Sequence, residues 1–408
     1  MREILIVGAG QAGLHLALGL LHHGYGVTVI SNRTPEAIRD GRVTSSQAMF
    51  GTALGHERDL GIDLWPDCPP IDGIQLSVPG PDGTKAIGWT GRLDEPARSV
   101  DQRVKMPAWL AEVERLGGKV VYHDATAADL ETYAADYDLV LVAAGKGQIA
   151  SLFERDAGRS PYDVPQRALA LTYVNGLTPR PEHSAVCFNL IPGVGEYFVF
   201  PALTLTGPCE IMVFEGVPGG PMDCWGDIRT PAEHLARSRS ILETYLPWEA
   251  ARCADIELTD ERGTLAGRFA PTVRRPVAVL PTGAPVLGVA DVVVLNDPIT
   301  GQGAGNAAKC AASYLADVVE RGDLPFDQAW MEATFERYWA DARHATEWTN
   351  ALLSPPPPHV LEILGAAGSL PEVAARFANG FDDPRDFAEW FMDPAKAAAY
   401  LAQAGSRS

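Results

Sequence analysis

Basic residues are scarce. The 408-residue chain carries 33 Lys+Arg against 52 Asp+Glu, a net charge of −19. No basic run interrupts that acidity, which argues against nucleic acid or an anionic membrane as the main partner, because both need a positive patch. Nowhere do about eighteen apolar residues run uninterrupted, so no transmembrane helix is expected. Met1-Arg2-Glu3 leads straight into Ile4-Leu5-Ile6-Val7 without a signal-peptide pattern. The six cysteines (Cys68, Cys187, Cys209, Cys224, Cys253, Cys310) are irregularly spaced and include no C-x-x-C pair. They read as reduced core residues of a cytoplasmic protein. The nine histidines form no H-E-x-x-H and no group at metal-ligand spacing, so no metal site is expected. A G-x-S-x-G nucleophile elbow is missing. Gly145-Lys146 could end a phosphate-binding loop only if a glycine stood where Val140 is. No internal repeat is visible. With 46% hydrophobic and 21% charged residues the chain is not disordered, and its length suffices for two or three packed units.

What is present starts at the N-terminus. Residues 4–7 read as a buried strand ending in Gly8-Ala9-Gly10-Gln11-Ala12-Gly13; an apolar helix pattern runs on to Gly24, and Gly26–Ile30 is a second strand. Strand, G-x-G-x-x-G, helix and strand within roughly thirty residues is the context that makes this motif a dinucleotide site. Gly8 permits the tight turn, Gly10 admits a pyrophosphate, and Gly13 lets helix and strand pack closely, with the helix amides facing the phosphate charge. The acidic residue expected after the second strand is replaced by Ser31-Asn32-Arg33. Ser31 and Asn32 could hydrogen-bond a ribose, and Arg33 could face a phosphate. By itself the fingerprint leaves NADP and FAD open.

Distant segments decide between them. Asp101-Gln102-Arg103 opens a helical stretch to Leu116, and Val120–Tyr122 and Leu139–Gly145 read as strands. Far downstream, an apolar strand reaches Asp291, followed by Asp297-Pro298-Ile299-Thr300-Gly301-Gln302-Gly303-Ala304-Gly305-Asn306 and a helix expected over 307–319. A second glycine-rich turn into a helix is a second anion-binding helix start. FAD uses both, with its pyrophosphate at the first and its ribityl chain and flavin at the second; NADP has no need of the second. Between them, 165–265 alternates strand-like runs with Pro and Gly turns, as an inserted antiparallel sheet would. A helical pattern from Trp330 to Leu353 stops at Ser354-Pro355-Pro356-Pro357-Pro358, with short helices beyond.

These features resemble the FAD hydroxylases and, within them, the two-component styrene and indole monooxygenases. The resemblance runs over nearly the whole chain. It rests on Gly8–Leu16, Ser99–Arg103, Pro165–Leu169, Asp297–Ala304 and Trp348-Thr349-Asn350. It implies an α/β fold: a Rossmann-like FAD-binding domain of the p-hydroxybenzoate-hydroxylase type, an inserted antiparallel β-sheet substrate domain and a helical C-terminus. The corresponding division is 1–50, 85–160 and 266–330 for FAD, 51–84 and 161–265 for substrate, and 331–408 for the C-terminal helices. Cofactor contacts are implied at Gly8, Gly10, Gln11, Ala12, Gly13, Ser31, Asn32, Arg33, Arg42, Arg103 and Asp291, and from Pro298 through Gly301, Gln302, Gly303, Ala304, Gly305 and Asn306. The Asp-Gly pair tied to NAD(P)H use in the wider family is absent after Ala143-Ala144. The resemblance therefore implies an oxygenase component that receives reduced FAD from a separate NADH:flavin reductase.

Within that branch, Ser45, Gln47 and Met49 look like the indole type, where styrene-type proteins carry Asn, Val and His; Ile71, Ile74 and Ala97 point the same way. Period-two spacing would put Ser45, Gln47 and Met49 on one face of an extended segment. The implied chemistry is a C4a-hydroperoxyflavin formed with O2, whose distal oxygen epoxidises the C2=C3 bond of indole. Ser45, Gln47, Pro298 and Thr300 are the candidate catalytic contacts, and no general base is assigned. Styrene-preferring epoxidation and a self-sufficient NAD(P)H-dependent hydroxylase are the enzymatic alternatives. A non-enzymatic carrier on this fold is the alternative of another class, against which the complete second glycine turn counts. W-x-W-x-I-P, a halogenase signature, is absent. Whether the chain forms a homodimer is left open.

Overall fold

The computed structural model describes residues 2–144 and 149–406, so the Gly145-Lys146 pair considered above lies outside them. Unbroken apolar runs build the first sheet. Ile4–Val7 and Leu139–Val142 are buried along their lengths, as parallel strands covered on both faces must be. Six strands lie in the order Val277–Val279, Pro285–Gly288, Leu139–Val142, Glu3–Val7, Gly26–Ser31, Lys119–Tyr122. All neighbours are parallel except the first pair. The helices Gln11–His22, Gln102–Arg115 and Gly303–Arg321 share one core with this sheet, through fully buried Leu14, Leu18, Val113 and Tyr314.

The second sheet has nine strands. Ala168–Asn175, Gly207–Gly216, Gly195–Thr204 and Val186–Ile191 are joined antiparallel, and Ile71–Pro79 with Lys85–Ser99 extends them. The expected antiparallel insert is thus present, with one parallel seam where Ile74 lies opposite Val186. Those two strands come from distant parts of the chain, so no hairpin dictates their direction. Residues 85–99, expected with the dinucleotide-binding unit, belong to this sheet instead, because Trp89, Leu93 and Ala97 bury against its apolar face. The Ala48–Met49 strand pairs onto its edge. Conversely, the helix Gly51–Asp59, expected with the substrate unit, packs Ala53 and Leu54 on Ala308 of the Gly303–Arg321 helix.

Alternation along Ala168–Asn175 gives the sheet two apolar faces. Ala170 and Val174 join a cluster under the Pro231–Tyr245 helix, through Ile241 and Leu242. Leu171 and Tyr173 join another, closed by the C-terminal helices Pro358–Ala366, Pro371–Asn379 and Pro394–Gly405. Gly91 permits that closure: a Cβ there would lie 2.1 Å from the Ala374 carbonyl oxygen. All six cysteines are free, and five are buried. No helix among the described residues is long and apolar enough to cross a membrane.

Candidate active site

The first turn has the geometry its glycines predict. Gly8 has φ +119°, and a Cβ there would meet the Ala143 carbonyl carbon at 2.7 Å. A Cβ on Gly13 would lie 2.0 Å from Gly8 O, whereas one on Gly10 would meet nothing within 4 Å. Gly13 therefore packs protein and Gly10 faces open space. No side chain caps the helix beginning at Gln11, which leaves its first amides for a ligand. Ala12 is buried beside them. Gln11 is also buried, its Nε2 donating to Glu57 Oε1 at 2.7 Å. Asn32, Arg33 and Arg42 are exposed. The Ser31 hydroxyl, expected on a ribose, donates to Arg33 O at 2.7 Å and so closes its own turn.

The second turn is organised by Asp297, whose carboxylate accepts from Ile299 N at 3.2 Å and caps the short helical turn Pro298–Thr300. Gly301 ends that turn at φ +64°. The following helix starts at Gly303 rather than at 307, since its glycines tolerate a first turn with no side-chain cap. A Cβ on Gly301 or Gly303 would again meet nothing, and Gly305 faces only Ala53. Asn306 is buried with its Nδ2 unpartnered. Gln302 Nε2 donates to Phe381 O at 2.9 Å, and Thr300 shares a 2.5 Å hydroxyl contact with Thr349. Ala304 packs beside Met49 and Ala308. Asp291 is exposed, in a short turn that follows Ala290 at φ +51°.

The helix Gly51–Asp59 touches both turns, through Glu57 to Gln11 and through Ala53 to Gly305. Two open glycine cradles, two uncapped helix starts and an orphan amide, bridged by this helix, fit an extended dinucleotide such as FAD. Beneath them Glu57 accepts from Lys105 at 2.5 Å. Burial lowers the Lys105 pKa while Glu57 opposes the shift. The structure uses Arg103 differently from the expectation. It is buried, bonded to both Asp101 and Asp260 and to Thr204, so it fastens its helix to the second sheet rather than pointing at a ligand.

Ser45 and Gln47 come together, but not on one extended face. Gln47 has φ +26°, which turns the chain. Ser45 Oγ donates to Gln47 Oε1 at 2.7 Å, Gln102 Nε2 donates to Ser45 Oγ at 3.0 Å, and Gln47 Nε2 donates to the Tyr173 hydroxyl at 2.9 Å. Tyr173 in turn donates to Ser45 O at 2.8 Å, and burial holds its pKa well above the usual range, so it stays neutral. Met49 is separated from this network and packs with Ala53, Leu54 and Ala308, its sulfur 3.4 Å from Lys105 Nζ. Ile71, Ile74 and Ala97 are fully buried in the cluster that contains Tyr173.

That cluster borders a small apolar pocket, about 30 Å³ in volume, between the second sheet and the C-terminal helices, lined by Leu76, Phe188, Leu352, Phe377, Phe381 and Phe391 among others. Ile299 of the second glycine turn forms part of its wall. None of the expected substrate residues lines it. The lining side chains come from four distant segments, of which only Pro298-Ile299-Thr300 belongs to a motif marked in the sequence. Tyr173 was likewise missed, being a strand tyrosine that no motif marks.

The fold is that of the FAD-dependent hydroxylases and halogenases of the p-hydroxybenzoate-hydroxylase type. The flavin-dependent brominase Bmp2 superposes with a TM-score of 0.69 at 13% identity, over 100% of both chains. A flavoprotein/dehydrogenase from Cytophaga hutchinsonii gives 0.69 at 13% over 99% of each. The tetrameric form of 2-methyl-3-hydroxypyridine-5-carboxylic acid oxygenase gives 0.59 at 16%, covering 97% of this chain and 98% of the other. Residues 145–252 match the family model "Styrene monooxygenase A putative substrate binding domain". Styrene monooxygenase StyA of Pseudomonas fluorescens is 30% identical over 412 residues, 98% of each chain, and the protein of that name from Pseudomonas sp is equally similar. The chain belongs to the styrene monooxygenase StyA family, and FAD is the cofactor that this flavin-dependent family implies.

Proposed function

We propose that the chain is the oxygenase component of a two-component flavin monooxygenase. It takes reduced FAD from a separate NADH:flavin reductase and epoxidises the C2=C3 bond of indole with O2, yielding indoxyl and then indigo. Styrenes and sulfides are further substrates. The observation that carries this reading is the pair of open glycine turns, with the apolar pocket walled by Ile299 directly off the second. Reduced FAD, when bound, supplies together with O2 the electrophilic oxygen atom. The protein's part would be positional: the aromatic lining beside Ile299 would open to hold the alkene and exclude water, and the turn amides with Thr300 would hold the cofactor. No residue is required to move a proton on the substrate. A reductase is invoked because the described residues contain one parallel dinucleotide-type sheet, which FAD would take.

Styrene preference is the second reading, favoured by one observation. Ser354 carries the only polar side chain among the cavity's lining residues. An indole N–H left without an acceptor there would lose roughly 1–3 kcal/mol. The indole reading needs the Ser45–Gln47–Tyr173 network at the margin of the same cluster to accept that N–H. The deciding assay mixes the protein with FAD, NADH, an unrelated flavin reductase and indole in air. Indigo only when the reductase is present supports the proposal. Indigo without it would establish a self-sufficient hydroxylase, and turnover of styrene with no indigo would establish the second reading.

A further inference from the structure

Behind the second glycine turn lies a set of buried charges that the reaction does not use. Glu196 and Glu215 stand directly opposite each other on adjacent strands of the second sheet. Arg167 pairs with Glu196, at 2.7 Å from Nε and 2.9 Å from Nη2. Glu215 is fully buried, and neither of its oxygens has a hydrogen-bond donor. The polar group that meets it is the Asp297 carboxylate, whose other role is to cap the Pro298–Thr300 turn. Arg167, Glu196 and Asp297 are the charged groups whose fields reach Glu215. With all three acids ionised against one guanidinium, the sheet would bury two net negative charges, which its interior cannot solvate. Two carboxyl groups in contact form a hydrogen bond only when one of them keeps its proton.

We propose that Glu215 carries this proton at neutral pH and donates it to Asp297, making Glu215 a positioning residue that locks the cofactor turn onto the second sheet. The choice of Glu215 over Asp297 follows from the contacts: Asp297 has the Ile299 amide to stabilise its charge, and Glu215 has nothing. Burial and the two neighbouring acids push the Glu215 pKa well up, in line with that choice. Because the folded-state pKa is raised, the lock is complete at neutral and acid pH and is lost as pH rises through that value. The consequence for cofactor binding rests on the flavin reading of the turn; the proton itself does not.

Infrared spectroscopy of the cofactor-free protein at neutral pH tests the proton directly. A carboxylic-acid carbonyl band present in the wild type and lost in Glu215→Gln is expected. Absence of the band, or its persistence in E215Q, would overturn the assignment. If E215Q fails to fold, Asp297→Asn serves in its place: the band must shift when its acceptor becomes an amide, and an unshifted band counts against the proposal. FAD titrations then test positioning. The wild-type Kd is expected to rise at least about tenfold across the pH range in which the infrared band is lost, while E215Q, which keeps a donor but cannot titrate, stays flat over that range. A band with a flat wild-type profile would refute the lock. A band in a protein that binds no FAD would refute the flavin reading alone.

Discussion

A methyl group at Gly10 would meet no atom within 4 Å, whereas one at Gly13 would lie 2.0 Å from a backbone oxygen. The two glycines of one motif therefore do different work, and their alanine variants should fail differently. Gly13→Ala is expected to cost roughly 2–4 kcal/mol of stability in denaturant melts. Gly10→Ala should fold within about 0.5 kcal/mol of the parent yet raise the FAD Kd at least about tenfold, because its methyl occupies the ligand's space. Equal melting losses in both would contradict the ligand role of Gly10. His15 supplies a second case. It is buried on the first helix with both ring nitrogens unpartnered, and burial, with Lys105 and His56 nearby, lowers its pKa to about 3. A histidine whose folded-state pKa is depressed adds stability that is complete above its unfolded pKa of about 6.5 and is lost as pH falls towards about 3. His15→Leu should move the acid unfolding midpoint to lower pH; an unmoved midpoint would show that another group titrates there.

At the scale of elements, the segment 45–49 and the late helix Gln328–Leu352 shape the site. The helix brings Thr349 against Thr300 and so buttresses the Pro298–Thr300 turn, which gives the Trp348-Thr349-Asn350 run a structural role. The segment splits at Gln47, so Ser45 and Gln47 join Tyr173 of the second sheet while Met49 turns to Lys105 of the Gln102–Arg115 helix. The styrene-type exchange Ser45→Asn, Gln47→Val, Met49→His should therefore act through its first two changes. The Ser45→Asn, Gln47→Val pair alone is expected to move the styrene-to-indole rate ratio by about tenfold, the value of one lost hydrogen bond to the N–H. Met49→His alone should leave the ratio unchanged and alter FAD affinity instead. A ratio that follows Met49 would relocate the substrate.

For the whole molecule, the C-terminal helices are structural. Val373, Phe377, Phe387, Trp390 and Phe391 cover one face of the second sheet and close the cavity. Burial of large apolar side chains contributes about 1.5–3 kcal/mol each, so losing several exceeds a domain's usual margin of about 5–15 kcal/mol. Truncation after Pro358 is expected to abolish cooperative unfolding and to produce strong binding of a hydrophobic dye. A truncated protein that melts cooperatively would mean that the sheet face is protected in another way.

The sequence by itself determined the local features: the strand–glycine–helix turn at Gly8–Gly13, the second turn at Asp297–Asn306, the Asp101-capped helix and the antiparallel strands between. Each is encoded within a few neighbouring residues, as steric permission at glycine, a capping carboxylate or an apolar alternation. Tertiary structure alone decided what those residues face. Arg103 became a fastener between its helix and the second sheet because Asp260 and Thr204 arrive from a distant turn and a distant strand. The strand 85–99 left the dinucleotide unit because its register partner is Ile71–Pro79. The cavity and the Glu215–Asp297 contact arise where segments remote in sequence converge, and burial and charge proximity at such a place belong to the fold and not to any one stretch of chain.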